Sequence, residues 1–146
     1  MNATTAGDPP CLFPTLRCHD AEAMIRWLID VYGFTEHVVY RHAGEVQHAE
    51  LLLGSSILML GQHREDAYGK LVGSLDGRRT DALYVAVADP DALYEKVCEA
   101  GARIESEPAD TSYGSREFSC RDPELNLWTF GTYWPKADRP PAQPGV

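Results

Sequence analysis

The sequence predicts an α+β domain built from two copies of a βαβββ module. Two segments carry the repeat, LRCHDAEAMIRWLIDVYGFTE from Leu16 and VAVADPDALYEKVCEAGARIE from Val85, and both read as strand, Asp, helix, Gly, strand. Their first residues, 16 and 85, are 69 positions apart. The whole chain has 146 residues, which is the size of one ordinary domain with a buried core.

Capping residues predict where each helix begins and ends. Asp20 and Asp89 precede the helices, where a side-chain oxygen can accept hydrogen bonds from unpaired backbone N–H groups. Pro90 occupies the first helical position that proline favours, and Gly33 and Gly101 follow the helices, where glycine adopts a left-handed backbone at least cost. Each helix should bury one face, because apolar side chains recur at helical spacing. These apolar stripes are Met24, Leu28 and Val31 in the first helix and Leu93, Val97 and Ala100 in the second.

Three strand-like segments follow each helix. They are TEHVVYRH, EVQHAELLL and ILML in the first copy and ARIESE, SREFSC and NLWTFGTY in the second. The polar, glycine-bearing stretch between the copies reads as a linker or a flexible lid, and both chain ends read as disordered because they are small, polar and Pro-rich. The predicted division is a tail over 1–11, module one over 12–60, the joining segment over 61–81, module two over 82–135 and a tail over 136–146.

Charge and cysteine content exclude several classes of function. The formal net charge of −9 argues against nucleic acid and anionic membrane surfaces as partners; it suits a neutral or cationic small ligand, although solubility alone also explains it. No apolar run approaches the roughly 18 residues of a membrane span, and the first ten residues do not resemble a signal peptide. The four cysteines form no C-x-x-C pair, so we expect thiols in a cytoplasmic protein rather than disulfides or a zinc site.

Three stretches make the chain resemble the vicinal oxygen chelate superfamily, which includes glyoxalase I, extradiol dioxygenases, fosfomycin-resistance transferases and bleomycin-resistance binding proteins. DAEAMIRWLIDVYGF is similar to its first helix, VQHAELLLGSSILMLG to its third and fourth strands, and YGSREFSCRDPELNLWTFGTY to its last hairpin. The resemblance covers about residues 12–133 and implies a curved mixed sheet around a cleft, the glyoxalase/bleomycin-resistance fold. It does not choose a function, because this fold hosts both enzymes and non-catalytic binders.

The last hairpin departs from the superfamily pattern at one residue. Leu125 stands where the turn commonly has glycine, at a position that often needs a positive φ. We therefore expect Asn126 to carry the strained backbone, or the turn to differ.

The resemblance also implies where a metal ion would bind. In metal-dependent members each half supplies two ligands, usually His or Glu, from its first and last strands. The matching positions here are Phe13, Met59 (or Leu58 with a shift of one residue), Ala82 and Thr129. None of these side chains is a usual ligand for Mg, Mn, Zn or Fe, so the sequence predicts no metal cofactor.

His48 and Glu50 form the clearest polar pair. They are two residues apart on a predicted strand and so share a face, while Ala49, Leu51 and Leu53 point to the other face and toward a helix. One interpretation is that the pair contacts a ligand; a solvent-facing polar stripe and a displaced two-residue metal site are the alternatives.

Other candidate residues follow from strand alternation and from the resemblance. Arg17 shares a strand face with Phe13 and Thr15, and in glyoxalase I-like members an arginine at this position holds a substrate carboxylate. An ion pair with an acidic residue of the chain is the alternative. Tyr84 shares the face of Ala82 and is expected to line the cavity. Trp128 and Phe130 alternate with Thr129 and are therefore expected in the core.

The favoured function is metal-independent binding of a small, partly aromatic and possibly cationic organic molecule, as in the bleomycin-resistance branch. The alternatives are a glyoxalase-like lyase or isomerase, a dioxygenase using other residues, and a scaffold domain with a vestigial cleft. A homodimer is expected, because family members often cover their strand edges by dimerising. No catalytic residue is assigned. The candidate ligand-binding residues are Phe13, Thr15, Arg17, His48, Glu50, Met59, Tyr84 and Thr129.

Overall fold

A computed structural model of the chain describes residues 10–73, 81–138 and 140. The helices and strands are β1 (Thr15–Cys18), α1 (Ala21–Asp30), β2 (Thr35–His42), β3 (Glu45–Leu53), β4 (Ser56–Gln62), α2 (Ala67–Val72), β5 (Leu83–Ala86), α3 (Pro90–Glu99), β6 (Arg103–Asp110), β7 (Arg116–Arg121) and β8 (Leu127–Gly131). The order βαβββ therefore occurs twice, which confirms the predicted α+β fold class. The described residues contain no helix that is long and apolar enough to cross a membrane.

The first compact unit comprises the described residues 10–73 together with Asp122–Leu125 of the turn between β7 and β8. Its mixed sheet has the strand order β1-β4-β3-β2, with β1 parallel to β4 and the other neighbours antiparallel. Helix α1 packs on one face of this sheet. Met24, Leu28 and Val31 are all buried, which confirms the apolar stripe of the first helix.

The second compact unit comprises the remaining described residues, 81–121, 126–138 and 140. Its sheet repeats the arrangement with the order β5-β8-β7-β6, and α3 packs on one face. Trp128 and Phe130 are each only 1% exposed, and Phe130 stacks on Phe118, which in turn contacts Tyr94 of α3. The predicted core position of these two aromatics is confirmed. The stripe of the second helix is shorter than predicted, because Ala100 is exposed.

Helix caps match closely in the two copies. The backbone of Asp20 has φ −132° and ψ 84°, and that of Asp89 has φ −134° and ψ 84°. Each aspartate side chain accepts a hydrogen bond from the backbone N–H three residues later, at 3.0 Å in α1 and 3.1 Å in α3. Gly33 and Gly101 have φ +83° and +80°, as the helix ends predicted.

The joining segment predicted over 61–81 contains structure that sequence patterns missed. Strand β4 continues to Gln62, and a short helix, α2, begins at Ala67 with Asp66 as its N-cap. The Asp66 side chain accepts a hydrogen bond from the backbone N–H of Gly69 at 2.7 Å. Residues 74–80 of this segment lie outside the described residues, as do residues 1–9, 139 and 141–146 of the two predicted tails.

The turn between β7 and β8 corrects one expectation. Leu125, not Asn126, carries the positive φ, at +67°. Its backbone N–H donates to the carbonyl of Asp122 at 2.9 Å, which closes the turn. Turn closure therefore overrides the preference of leucine for negative φ, a preference worth roughly 1–2 kcal/mol.

Candidate functional site

The face of the first sheet opposite α1 carries five of the predicted binding residues. Thr15 lies opposite Met59, and Met59 lies opposite Glu50, so the three share a face. Arg17 and His48 join them because each is two residues away along its strand. We call this surface the first face. Phe13 lies just before β1 and is 36% exposed.

His48 and Glu50 contact each other on the first face. Nε2 of His48 and Oε2 of Glu50 are hydrogen-bonded at 2.9 Å, and the two side chains are 42% and 28% exposed. Ala49, which lies between the two residues, and Leu51, which follows Glu50, are fully buried on the other face, as predicted. The pair thus offers a half-exposed imidazole and carboxylate held in one geometry.

A β-bulge beside this pair explains a glycine on β4. Tyr40 pairs with His48 but Arg41 pairs with Val46, which leaves Gln47 as an extra residue in β3. The carbonyl oxygen of Gln47 would lie 2.8 Å from a Cβ atom placed on Gly61. The bulge therefore requires glycine at this position of the first face.

Arg17 is held by α2. Its two terminal nitrogens each lie 3.2 Å from an oxygen of Asp66, and its guanidinium carbon lies 4.7 Å from the centre of the Tyr68 ring. These hydrogen bonds are the main reason that the pKa of Asp66 falls to about 2. Of the two interpretations of Arg17, the structure contains the ion pair with an acidic residue. Because α2 went unrecognised in the sequence, its aspartate could not be named as the partner.

The corresponding face of the second sheet carries Tyr84 and Thr129. Tyr84 lies opposite Thr129, and Thr129 lies opposite Ser119, to which its hydroxyl is hydrogen-bonded at 2.7 Å. Gly131 lies on the same face, opposite Glu117. We call this surface the second face.

Three further residues on and beside the second face were not predicted as binding residues. The hydroxyl of Tyr84 donates to the backbone carbonyl of Tyr133 at 2.6 Å, and the hydroxyl of Tyr113 donates to Oε1 of Glu117 at 2.7 Å. The ring of Tyr133 lies 6.4 Å, centre to centre, from each of the other two tyrosine rings. We call these three tyrosines and Glu117 the tyrosine cluster.

Burial and Glu117 shift the pKa values of Tyr84 and Tyr113 in the tyrosine cluster. Burial is the main cause that raises the pKa of the Tyr84 hydroxyl, and the nearby charge of Glu117 raises it further. The hydrogen bond to Glu117 is the main cause that raises the pKa of Tyr113. Both hydroxyls therefore stay protonated and remain donors well above neutral pH.

Comparison with known proteins identifies the family. The sequence model of the Glyoxalase/Bleomycin resistance protein/Dioxygenase superfamily matches residues 12–130. The chain belongs to this superfamily. Sequence motifs had pointed to it under the name of vicinal oxygen chelate. No curated protein sequence matches the chain significantly.

Solved structures of the superfamily share this fold. TioX from Micromonospora sp. ML1 is 28% identical with a TM-score of 0.68, over 82% of this chain and 95% of that one. A glyoxalase/bleomycin resistance protein/dioxygenase from Nocardioides is 25% identical with a TM-score of 0.65, over 95% and 91% of the two chains. The fosfomycin resistance protein FosX from Mesorhizobium loti is 19% identical with a TM-score of 0.63, over 86% and 92%, and supports the fold alone.

The residues at the four positions that the resemblance aligns with the superfamily's metal ligands do not suit a metal ion. Phe13 and Ala82 have no donor atom, Met59 offers only a thioether, and the hydroxyl of Thr129 is hydrogen-bonded to Ser119. Within the described ranges, no three His, Cys, Asp or Glu side chains are grouped closely enough to hold a metal ion. The side chains at these four aligned positions therefore offer no set of donors for such an ion.

Sequence reasoning could have found part of the tyrosine cluster. Tyr133 is two residues beyond Gly131 and four beyond Thr129, so strand alternation puts it on the same face as these two residues. Tyr113 and Glu117 are separated by a turn, and that geometry leaves no periodic signal in the sequence. Their pairing depends on how the loop between β6 and β7 closes, through a hydrogen bond from the Thr111 N–H to the Ser115 carbonyl at 2.7 Å.

Proposed function

We propose that this protein binds a small organic molecule, partly aromatic and positively charged, on the face of a sheet opposite its helix and without a metal ion. One observation carries the proposal: the second face presents tyrosine rings and a carboxylate. The positions that the resemblance aligns with the superfamily's metal ligands, Phe13, Met59 (or Leu58), Ala82 and Thr129, support it, because they offer no usual set of metal donors. Such surfaces recognise organic molecules by apolar contact with a few polar groups.

The exposure of the aromatic rings supports binding. Tyr84 and Tyr113 are each 40% exposed although they are large and partly apolar. The formal net charge of −9 raises the local concentration of cations and accelerates their association with the surface. Sequestration of a ligand needs affinity alone, so no reacting group is required.

A second candidate function is acid–base catalysis by the pair on the first face. The hydrogen bond of 2.9 Å between His48 and Glu50 orients the imidazole ring, as a carboxylate does for a histidine that transfers protons. A metal-free lyase or isomerase would use this pair. The two functions differ in one measurable way: an isomerase converts its ligand, and a sequestering protein releases it unchanged.

We also propose a cytoplasmic homodimer. In each sheet the outermost strands, β1 and β2 or β5 and β6, offer an edge that a second copy could cover, and Tyr40 on β2 is 62% exposed. The cytoplasmic part of this proposal rests on the sequence, whose four cysteines form no C-x-x-C pair. Light scattering at several concentrations should give twice the chain mass of 16.2 kDa. A monomer that persists into the high micromolar range would exclude the dimer.

Elemental analysis and a binding screen test the main proposal. Protein purified without chelator is expected to contain no stoichiometric divalent metal, and ligand-detected NMR should show binding of bleomycin or of benzyltrimethylammonium, a compact aromatic cation. One tightly bound Zn, Mn, Fe or Ni per chain, removable only by chelation, would overturn the metal-free proposal. Turnover of a bound compound that is lost in His48→Ala would favour the catalytic alternative.

A further inference from the structure

We propose that the tyrosine cluster is a subsite for an alkylated ammonium group. This inference rests on the proposed function and specifies it, because it names the charged group of the ligand and the residues that hold it. The subsite lies within the second unit and consists of Tyr84, Tyr113, Tyr133 and Glu117, with Gly131 as its floor.

The floor is shaped by the missing side chain of Gly131. A Cβ atom there would lie 2.6 Å from Cγ of Glu117, 2.7 Å from the hydroxyl of Tyr84 and 3.1 Å from Oε2 of Glu117. These distances show that the tyrosine hydroxyl and the carboxylate converge over the backbone of β8. Only glycine leaves them room to do so.

Glu117 differs in its partner from three carboxylates of the second unit that form ion pairs. Asp91 and Asp110 form ion pairs with Arg116, and Glu105 forms ion pairs with Arg103 and Arg121. Glu117 instead accepts a hydrogen bond from Tyr113, and no lysine or arginine of the described residues forms an ion pair with it. A carboxylate among aromatic rings without a basic partner is a site for an external cation.

The hydroxyl protons of Tyr84 and Tyr113 are already donated in hydrogen bonds, and this determines which kind of cation fits the subsite. Tyr84 donates to a backbone carbonyl and Tyr113 donates to the carboxylate, so neither hydroxyl proton is available for the ligand. What remains for the ligand is ring faces and negative charge. Ring faces attract a cation through their quadrupole and need no hydrogen bond from it, which suits an ammonium group carrying methyl or methylene groups.

A metal ion and an anion both fit this subsite poorly. One carboxylate is too few donors for a divalent ion, and the described residues contain no group of three metal-binding side chains here or elsewhere. An anion would meet the carboxylate of Glu117 and the negative faces of the rings. The chemistry therefore selects an organic cation.

The test compares choline with 3,3-dimethylbutan-1-ol, in which a carbon atom replaces the charged nitrogen. Backbone amide shifts of Tyr84, Glu117 and Gly131 are followed by NMR during each titration, with wild-type protein and with Glu117→Gln. Glu107→Gln is the matched control, because it removes the same charge from an exposed residue of neighbouring β6. Wild-type protein and the control should bind choline about tenfold more tightly than the neutral compound, and Glu117→Gln should lose this preference.

Two results of the choline titration would overturn the subsite. One is equal affinity of wild-type protein for choline and its neutral isostere, and the other is undiminished choline binding by Glu117→Gln. If Glu117→Gln fails to fold, Tyr113→Leu at an exposed turn residue removes one ring and should weaken choline binding severalfold. If benzyltrimethylammonium shifts only backbone amides of the first face, this subsite is refuted and the proposed function still stands. If the protein contains a stoichiometric metal ion, the proposed function is refuted and the choline result is unaffected.

Discussion

Gly61 and Gly131 occupy equivalent positions in the two copies, and alanine at each should have opposite consequences. Gly61 pairs with Arg17 of β1, and Gly131 pairs with Ala86 of β5, which is 69 residues after Arg17. A Cβ on Gly61 would meet the backbone carbonyl of Gln47, whereas a Cβ on Gly131 would meet only side-chain atoms of Glu117 and Tyr84. The first change strains the sheet, and the second disturbs the tyrosine cluster.

The expected magnitudes follow from what each Cβ meets. The 2.8 Å contact at Gly61 is well short of the 3.4 Å at which ordinary contact begins, and the bulge carbonyl cannot rotate away. Overpacking of this kind costs about 1–3 kcal/mol, reduced by about 0.4–1 kcal/mol because alanine restricts the unfolded chain. At Gly131 the side chains can turn aside, which costs about one hydrogen bond, or 0.5–1.5 kcal/mol, with the same offset. Gly61→Ala should therefore lose about 0–2.6 kcal/mol of unfolding free energy, with a centre near about 1.3 kcal/mol, and Gly131→Ala about 1 kcal/mol or less, with a centre near about 0.3 kcal/mol.

Urea-induced unfolding of the wild type and both variants measures these differences, and choline titration measures the second effect. Gly131→Ala should weaken choline binding severalfold, and Gly61→Ala should leave it unchanged while the protein is folded. A Gly131→Ala variant that is less stable than Gly61→Ala, or that binds choline like the wild type, would refute this reasoning.

Three further predictions concern the first unit. Replacing His48 and Glu50 together with alanine should weaken binding of any screened compound that shifts backbone amides of the first face, with a stability change within about 0.5 kcal/mol because both side chains are partly exposed. Severe destabilisation with unchanged binding would make the pair structural. Because the pKa of Asp66 is lowered from 3.8 to about 2 in the folded protein, its stabilising contribution is complete above about pH 4 and is lost as the pH falls toward 2. The difference in unfolding free energy between the wild type and Asp66→Asn, measured in urea, should therefore become smaller as the pH falls from about 5 to about 2, a range set by the two pKa values. A difference that stays constant over this range would contradict the ion pair with Arg17. In thermal unfolding, Leu125→Gly should be at least as stable as the wild type. Leu125→Val should be less stable, because a β-branched residue tolerates positive φ worst. The reverse order would show that contacts of the Leu125 side chain stabilise the protein by more than its positive φ costs.

Local signals predicted the repeated framework well. Asp20 and Asp89 identified both helix starts, Gly33 and Gly101 identified both helix ends, and alternation around Thr129 placed Trp128 in the core. These features depend on a few neighbouring residues, so the sequence displays them directly.

Features that depend on distant contacts were not predicted. Helix α2 has six residues and little periodicity, and it is held by the contact of Asp66 with Arg17, 49 residues earlier. The bulge at Gln47 breaks strict alternation without any glycine in that strand to mark it. The positive φ of Leu125 is imposed by turn closure against the preference of the residue itself.

The candidate site was predicted in part for the same reason. Strand parity grouped Thr15 with Arg17 and His48 with Glu50, because parity follows from spacing alone. The register of β1 with β4 and of β4 with β3 then places both pairs on one face. The partner of Arg17 and the link between Tyr113 and Glu117 arise from loop closure, which spacing does not encode. Whether these residues bind a ligand stays a prediction.

The affinity for benzyltrimethylammonium before and after metal removal shows whether the protein recognises its ligand without a metal ion. This cation has no donor atom for a metal, so chelation by EDTA can act only through the protein. Calorimetric titration of EDTA-dialysed protein should give the same dissociation constant as titration of protein supplied with Zn²⁺ or Mn²⁺. Binding that disappears on dialysis and returns with either ion would contradict metal-independent recognition.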